Sequence, residues 1–544
     1  MPIMSLPGRE VQYRQYRAPR EDRAALVDPP LDTAAELVEA NRRGLAGCDV
    51  EIGGQPLAEL ARRARRELIA EARRWTARYR EVAPEPADPA APLFLAGHQP
   101  QLFHPGVWLK NFALGWLAER HGGTAINLVV DSDTMKTHLV PVPSGSVLHP
   151  QVSFVPLDQP GEVVPFEERR VVDGATFRDF GRKAAEAVTP LVPNPLVREF
   201  WSLATARLAQ TDNLGQCLAE SRHQWEQGWG LATLEVPQSR VCQLPSFARF
   251  AAYLLAEAPR FVPVYNEAVR EYRELHGIRS TAHPVPDLVV DGSWHEAPFW
   301  VWTADDPRRR RLFVRARRDG LVLADRGGWE QTLSLRGGDF DRVIEQWVAL
   351  GRRVKIRSRA LVTTLWARIA LGDLFLHGIG GAKYDQVTDA VMARFFGMRP
   401  PAILVLSATL QLPIARRRVT PDHARAIDRR LRDLVWHPER CLAGMTPDQG
   451  HGEVEVLIAA KRRWIETSQT PQNARMRWRE IRRINEALQP WLADERQRLL
   501  ACREQLALAL RAEKILGSRE HSFCLYPAET LRGFFREVLG PARP

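Results

Sequence analysis

The sequence predicts an α/β fold: a parallel-sheet core with an inserted segment, followed by a helical C-terminal region. Three observations carry this. Short apolar runs at 93–96, 125–130, 371–376 and 402–406 alternate with glycine-bearing loops and helical patterns, the rhythm of βα units. Runs at 299–302 and 312–314 flank a charged turn, Asp305-Asp306-Pro307-Arg308, and read as an inserted hairpin. After residue 415 the pattern is almost wholly helical. There Thr420-Pro421, Thr446-Pro447 and Thr470-Pro471 each place a capping Thr before Pro at a first helical position.

Composition bounds the rest. The 544 residues suggest two to four domains. A hydrophobic fraction of 45% with 26% charged residues excludes a disordered, collagenous or disulfide-scaffold protein. The most apolar stretch, 361–380, is interrupted by Arg368 and Asp373, so no membrane helix is expected. No apolar leader follows Met1, and the six cysteines form no CxxC pair, which points to reduced thiols in a cytoplasm. The net charge is +11, yet only seven of the 76 basic residues are lysines. The arginines around 62–80 are interleaved with Glu67, Glu71 and Glu81, the pattern of a solvated helix face rather than a nucleic-acid surface.

Along the chain, residues 1–90 read as an N-terminal helical segment packed on the core, with helix over 32–82. Leu57, Leu60, Ala61, Ala64, Leu68 and Ala72 recur at spacings of three and four. Four prolines in 82–92 mark a linker. Residues 91–260 form the first part of the core. It runs strand 93–96, a loop from Gly97 to Gly106, a helix from Val107 closed by Gly122-Gly123, and strand 125–130. A strand at 231–236 and helices at 247–258 and 264–276 follow. Residues 261–350 form the inserted connecting segment. Residues 351–418 form the second part of the core, with strand 371–376, helix 383–396 and strand 402–406. Residues 419–544 are the helical or coiled-coil region. Within it 471–518, interrupted by Pro490, forms either a helical hairpin or a dimeric coiled coil.

Parallel sheets bind ligands at the carboxyl ends of their strands. Three segments fall there: 97–104, 131–138 and 377–385. Four of the fourteen histidines (98, 104, 138 and 377) lie in them, and three of the seven lysines (110, 136 and 383) lie in or beside them. Lysine is a compact cation suited to phosphate or carboxylate. The first segment opens a helix, whose N-terminus attracts anions, with His98 adding a hydrogen bond or a proton. Its other role is that Gly97 and Pro105-Gly106 merely shape a turn. Asp131 and Asp133 suit a general base for an amine or a magnesium ligand, or serve as turn and capping residues. Gly378-Ile379-Gly380-Gly381-Ala382-Lys383 is neither a Walker A nor a GxGxxG motif. Its glycines permit close approach to an anion, or simply a tight crossover. Tyr384 and Asp385 are placed to orient a substrate.

These segments resemble the BshC family, the cysteine-adding enzymes of bacillithiol biosynthesis. Gly97-His98-Gln99-Pro100-Gln101-Leu102-Phe103 through Lys110 resembles that family's first loop and helix. Asn127 to Asp133 stands where it has its acidic strand-end motif. His377 to Gly381 through Phe396-Gly397, then Pro400 to Leu410, resembles its Gly-Gly turn, helix and Pro-flanked strand. The chain departs from that family's pattern, as a diverged member would. Asp131-Ser132-Asp133-Thr134-Met135 replaces a Gly-Glu-Asp-His-Asp-like motif, His98 replaces a Gln, and Lys383 stands near the place of a missing acid.

The resemblance implies a Rossmann-like core and a C-terminal coiled coil that makes a homodimer. It also implies an amide-forming ligase that joins cysteine to the amine of an amino-sugar conjugate, with ATP or ADP and Mg²⁺ as the expected cofactors. Asp131, Asp133, His98 and Lys110 are then the candidate catalytic residues. Gly97, Gln99, His104, His377, Gly378, Gly380, Gly381, Lys383 and Tyr384 are the candidate substrate- or nucleotide-binding residues, with no metal-ligand set. The alternatives are a non-catalytic nucleotide- or sugar-binding protein and a nucleic-acid binder using the Arg-rich stretches 57–80 and 461–483. The latter predicts an affinity that falls steeply with salt.

Overall fold

A computed structural model of the protein describes residues 13–416, 418–442 and 451–540. Among them the chain forms two compact units. One lies within 1–142, 153–413 and 519–544, the other within 143–152 and 414–518.

The first unit is α/β. Among its elements are strand β1 (Ala24–Asp28), helices α1 (Ala34–Ala46) and α2 (Leu57–Thr76), strand β2 (Leu93–His98), helix α3 (Pro105–His121), strand β3 (Thr124–Val129), helix α4 (Leu214–Gly228) and strand β4 (Leu234–Pro237). There follow β5 (Trp294–Thr303), β6 (Arg310–Arg317), β7 (Gly320–Ala324), β8 (Glu330–Ser334), β9 (Val354–Ser358), β10 (Leu374–His377), helix α5 (Ile379–Phe395) and β11 (Ile403–Thr409).

Six strands pair in the order β1-β11-β10-β2-β3-β4. All neighbours are parallel except the edge strand β1, which runs against β11. Taken in chain order, the five parallel strands lie 3-2-1-4-5. The order therefore reverses between β2 and β10. Both faces are covered, because alternate side chains of a strand point to opposite faces. Leu93, Leu95, Ile126, Leu128, Leu234 and Val236 join one core with α2. Helix α3 lies across β2, β3 and β11 and is buried nearly all round, which matches its lack of a polar face.

The second sheet, β8-β7-β6-β5-β9, is antiparallel. The hairpin expected at 299–314 is its middle.

Three local differences from the sequence reading have simple causes. The helix expected over 32–82 is two helices, separated by a tight hairpin whose Gly53 and Gly54 take φ of 55° and 73°. Only glycine enters that region freely. Helix α5 begins four residues before the expected 383, because extended Gly378 serves as its N-cap. Thr470-Pro471 forms a turn before the helix Ala474–Ala487, with Thr470 and Asn473 bonding each other. Thr420 does form a capping box, with His423. The Thr446-Pro447 pair lies outside the described residues.

The second unit is helical. Helices α6 (Pro421–Trp436), α7 (His451–Glu466), α8 (Ala474–Ala487) and α9 (Ala493–Leu516) enclose Leu434, Ile484, Leu488, Leu492 and Leu499. A short 3-10 turn holding Pro490 parts α8 from α9. No helix of the described residues is long and apolar enough to cross a membrane. None of the six cysteines is paired.

Candidate functional site

In open, mostly parallel sheets the crevice outside the carboxyl ends of the strands, where the strand order reverses, is the usual place for a ligand, and here it lies between β2 and β10. Strand β2 ends in Gly97-His98 and β10 in His377. Helices α3 and α5 begin beside them, and the leading N–H groups of a helix have no partner within it.

Lys110, on the second turn of α3, is 3% exposed, and its Nζ donates to the Gly97 carbonyl at 2.5 Å. Among the described residues no carboxylate is paired with it. Burial, reinforced by the charge of Arg222, pushes its ammonium down to about 8. Burial and the Lys110 charge in turn push His98 down to about 3. His98 Nδ1 lies 3.1 Å from the Gln99 carbonyl, so Nδ1 carries the proton and Nε2 is the acceptor.

His377 is held the other way round. Its Nε2 lies 2.9 Å from Asp385 Oδ2. Asp385 also accepts from Thr364 Oγ1 and Arg368 Nη1, each at 2.7 Å. Although buried, Asp385 is kept below the usual carboxylate range by Arg368 and His377. It therefore stays an acceptor, which places the His377 proton on Nε2 and leaves Nδ1 with a lone pair. Burial holds His377 below its ordinary value despite Asp385, and Lys110 adds to this. A Cβ on Gly381 would sit 2.3 Å from His377 Nδ1, so glycine at 381 makes room for the ring. Gly378 and Gly380 border open space.

The other expected residues divide. Gln99 Nε2 donates to Asp133 Oδ2 at 3.0 Å. Asp133 Oδ1 accepts from Thr134 N at 2.8 Å and Arg309 Nη1 at 3.2 Å. The Asp133 charge is felt at Tyr384, whose hydroxyl is pushed up mainly by burial. Asp131 turns aside: Ser239 N donates to Oδ1 at 2.9 Å and Ser239 Oγ to Oδ2 at 2.5 Å. His104 caps α3, its Nδ1 accepting from Gly106 N at 3.1 Å. Gly106 itself is a packing glycine, since a Cβ there would meet the Ala408 carbonyl at 2.1 Å. Lys383 is exposed, and its charge acts on His276.

Three arginines that the sequence reading did not single out join these groups. Arg309 ties Asp133 to the second sheet. Arg519 donates to Ser407 at 3.1 Å and lies 3.3 Å from His104 Nε2. Arg222 belongs to a buried network beneath the first loop, where Nη1 bonds Glu226 at 2.6 Å and Nη2 bonds Glu235. Glu226 also accepts from Trp108 Nε1 and Asn111 Nδ2 at 2.6 and 2.8 Å. His223, Glu226 and Glu235 have ligand atoms within 4.8 Å of one another. A metal does not fit there, because Arg222 already compensates both carboxylates and His223 Nδ1 is 2.7 Å from Tyr79 Oη. No signal in the sequence marks Arg519, which long-range folding brings to β11.

No protein-family model matches the chain, and no curated protein is similar to it.

Proposed function

We propose that the chain is a carbon–nitrogen ligase of the BshC type. Its centre lies at the reversal between β2 and β10, and it joins the carboxylate of an amino acid, cysteine in that family, to the amine of an amino-sugar conjugate. The observation that carries this reading is Lys110, a buried ammonium with no carboxylate on it at the end of the first parallel strand. An unpaired buried charge costs several kcal/mol, roughly, and an arriving anion removes that cost. The strand order 3-2-1-4-5 supports a Rossmann-like core.

A carboxylate resists attack by an amine until one oxygen becomes a leaving group, and a nucleoside triphosphate supplies that activation. The residues present fit its anionic part: Lys110 and the leading N–H groups of α5 beside Gly378 and Gly380. They do not fit a magnesium ion held by the protein, because Asp131 turns aside into the neighbouring cavity and Asp133 is held by Gln99, Thr134 and Arg309. On this reading Lys110 neutralises charge developing on the acyl group. His377, neutral at pH 7, takes the proton the amine loses as the C–N bond forms, and Asp385 stabilises the resulting imidazolium. Gln99 and Asp133 orient the loop.

The test is mass spectrometry of the purified chain with cysteine and glucosaminyl-malate, with and without ATP and Mg²⁺. A species at the condensed mass is expected that requires ATP, falls about 10²–10⁴-fold in His377→Gln and is lost in Lys110→Met. Binding of nucleotide or sugar with no condensed species overturns the ligase in favour of a binding protein. A homodimer through the C-terminal helices belongs to the same proposal. It is supported by the exposed apolar side chains Met476 and Trp478 on α8 and Leu500 and Leu508 on α9. A monomer in sedimentation equilibrium overturns that part.

A further inference from the structure

On the other side of the first loop, the carboxyl ends of β3 and β4 open on a cavity of about 280 Å³. Four carboxyl groups line it: Asp131, Glu167, Glu220 and Glu235. Three are almost wholly buried, with Asp131 at 8%, Glu220 at 2% and Glu235 at 1% exposed. Three cations also line it, Arg78, Arg240 and Lys355, and these are the solvent-facing ones. Arg78 lies 4.2 Å from the ring of Trp75, another wall residue, and Arg240 lies 5.8 Å from it. The cavity is thus acidic at depth and basic at its mouth.

Partners account for only part of this charge. Arg357 holds Glu167 with two bonds, at 2.6 and 2.8 Å, and Arg222 holds Glu235. Glu220 is ion-paired with Arg207, yet its buried Oε1 has no hydrogen-bond partner. Asp131 is bonded only by the neutral Ser239. Burial, then the neighbouring Glu167, pushes Asp131 up to about 7. At the mouth, Lys355 has no ion-pair partner among the described residues, while the charge of Arg78 already acts on Glu220. Asp131 and Glu220, both buried, and Lys355, half-exposed on the same cavity wall, are therefore uncompensated or incompletely compensated. A buried polar atom without a partner is costly, and its usual explanation is a ligand, an ion or a water.

We propose that this cavity is a second ligand subsite that takes a small zwitterion, with an ammonium group against Asp131 and Glu220 and an anionic group against Lys355. Both ends are recognised by charge. Removing either end of the ligand therefore leaves one end of the cavity uncompensated. The volume is below that of cavities built for drug-sized ligands, so the occupant is a compact molecule. The inference stands apart from the chemistry at Lys110 and His377, since it requires binding without turnover.

Calorimetry of the full chain, with no nucleotide present, tests it. The probes are ω-amino acids of increasing length (glycine, β-alanine, 4-aminobutyrate and 5-aminovalerate), each beside its matched amine and matched carboxylic acid. One member of the series is expected to bind at least about tenfold more tightly than both of its matched compounds, the discrimination one charged hydrogen bond provides. Lys355→Met, a change at the half-exposed rim that leaves the buried network intact, is expected to weaken that member about tenfold. Asp131→Asn is expected to weaken it and to leave binding of the matched acid unchanged. The proposal is overturned if no ω-amino acid outbinds its matched amine and acid, or if Lys355→Met binds the best one as the parent does. Either failure leaves the ligase reading to its own assay.

Discussion

Lys110 and Asn111 are neighbours on α3, and they end in opposite kinds of surroundings. Asn111 reaches the Arg222 network, where one guanidinium answers two carboxylates and the side chains of Trp108 and Asn111 add hydrogen bonds. Lys110 is as deeply buried and meets a single carbonyl. A cluster that satisfies its own charges needs nothing from outside and serves to hold α3, α4, β3 and β4 together. A charge left unanswered at the end of a parallel strand is a cost the fold bears, and on the proposed reading an arriving anion removes it. The contrast separates structural from functional polarity better than residue type does, since histidines, acids and bases occur in both places.

The largest effect expected from breaking this contrast is in the paired cluster. Arg222→Met strands Glu226 and Glu235 inside the protein, and the loss of stability is expected to be about 3–5 kcal/mol. Urea unfolding followed by tryptophan emission reads it. A loss below about 1 kcal/mol would mean that the two carboxylates find other partners or protonate without consequence.

Lys110→Met is expected to act in the opposite direction. Moving the ammonium from its free value of 10.5 to about 8 corresponds to a penalty of roughly 3 kcal/mol at neutral pH. The variant is expected to be more stable than the parent by up to that amount and to lose affinity for inorganic phosphate. The sign with pH follows from proton binding. Below pH 8 the lysine is protonated in both states of the parent, and the full penalty is present. Between about 8 and 10.5 the unfolded chain holds a proton that the folded one has released, so the parent gains stability as pH rises. The gap between parent and variant therefore closes toward pH 10.5. Unfolding curves at pH 7 and pH 10 check it, and a gap that is constant or widens with pH would show that Lys110 is already neutralised.

Much of this frame is legible in the sequence. The run 93–96, its glycine, the helix after Val107 and the strand near 125 follow from apolar length and turn residues alone, and so does the unit around His377. Those signals are local, and each places its own loop at a strand end. The reversal between β2 and β10 is not local, because it depends on β10 pairing with β2 across some 280 residues. For the same reason nothing in the sequence tells Asp131 from Asp133. Both follow a strand, and only the positions of Ser239 and Arg309 send one toward the cavity and the other toward Gln99. Asp385 is readable as a polar residue near the start of a helix, placed to orient a substrate. That it grips His377 depends on Arg368 and Thr364 converging on it from the segment before β10.

The smallest effects sharpen the comparison at the level of single atoms, on two adjacent glycines of α5. Gly380 faces open space and Gly381 faces the His377 ring. Gly380→Ala is expected to be neutral or to stabilise by up to about 1 kcal/mol, through helix propensity alone. Gly381→Ala places a methyl 2.3 Å from Nδ1 of a ring that cannot tilt away without lengthening its 2.9 Å bond to Asp385. Overpacking of this kind costs about 1–3 kcal/mol. The His377 ring protons in an NMR titration report which bond yields. A shifted resonance in Gly381→Ala with an unshifted one in Gly380→Ala is expected, because the Asp385 bond sets the ring's electronic state. Equal spectra from both variants would mean that the ring is not clamped between Asp385 and the start of α5, and that the lone pair at Nδ1 is not held ready for a proton.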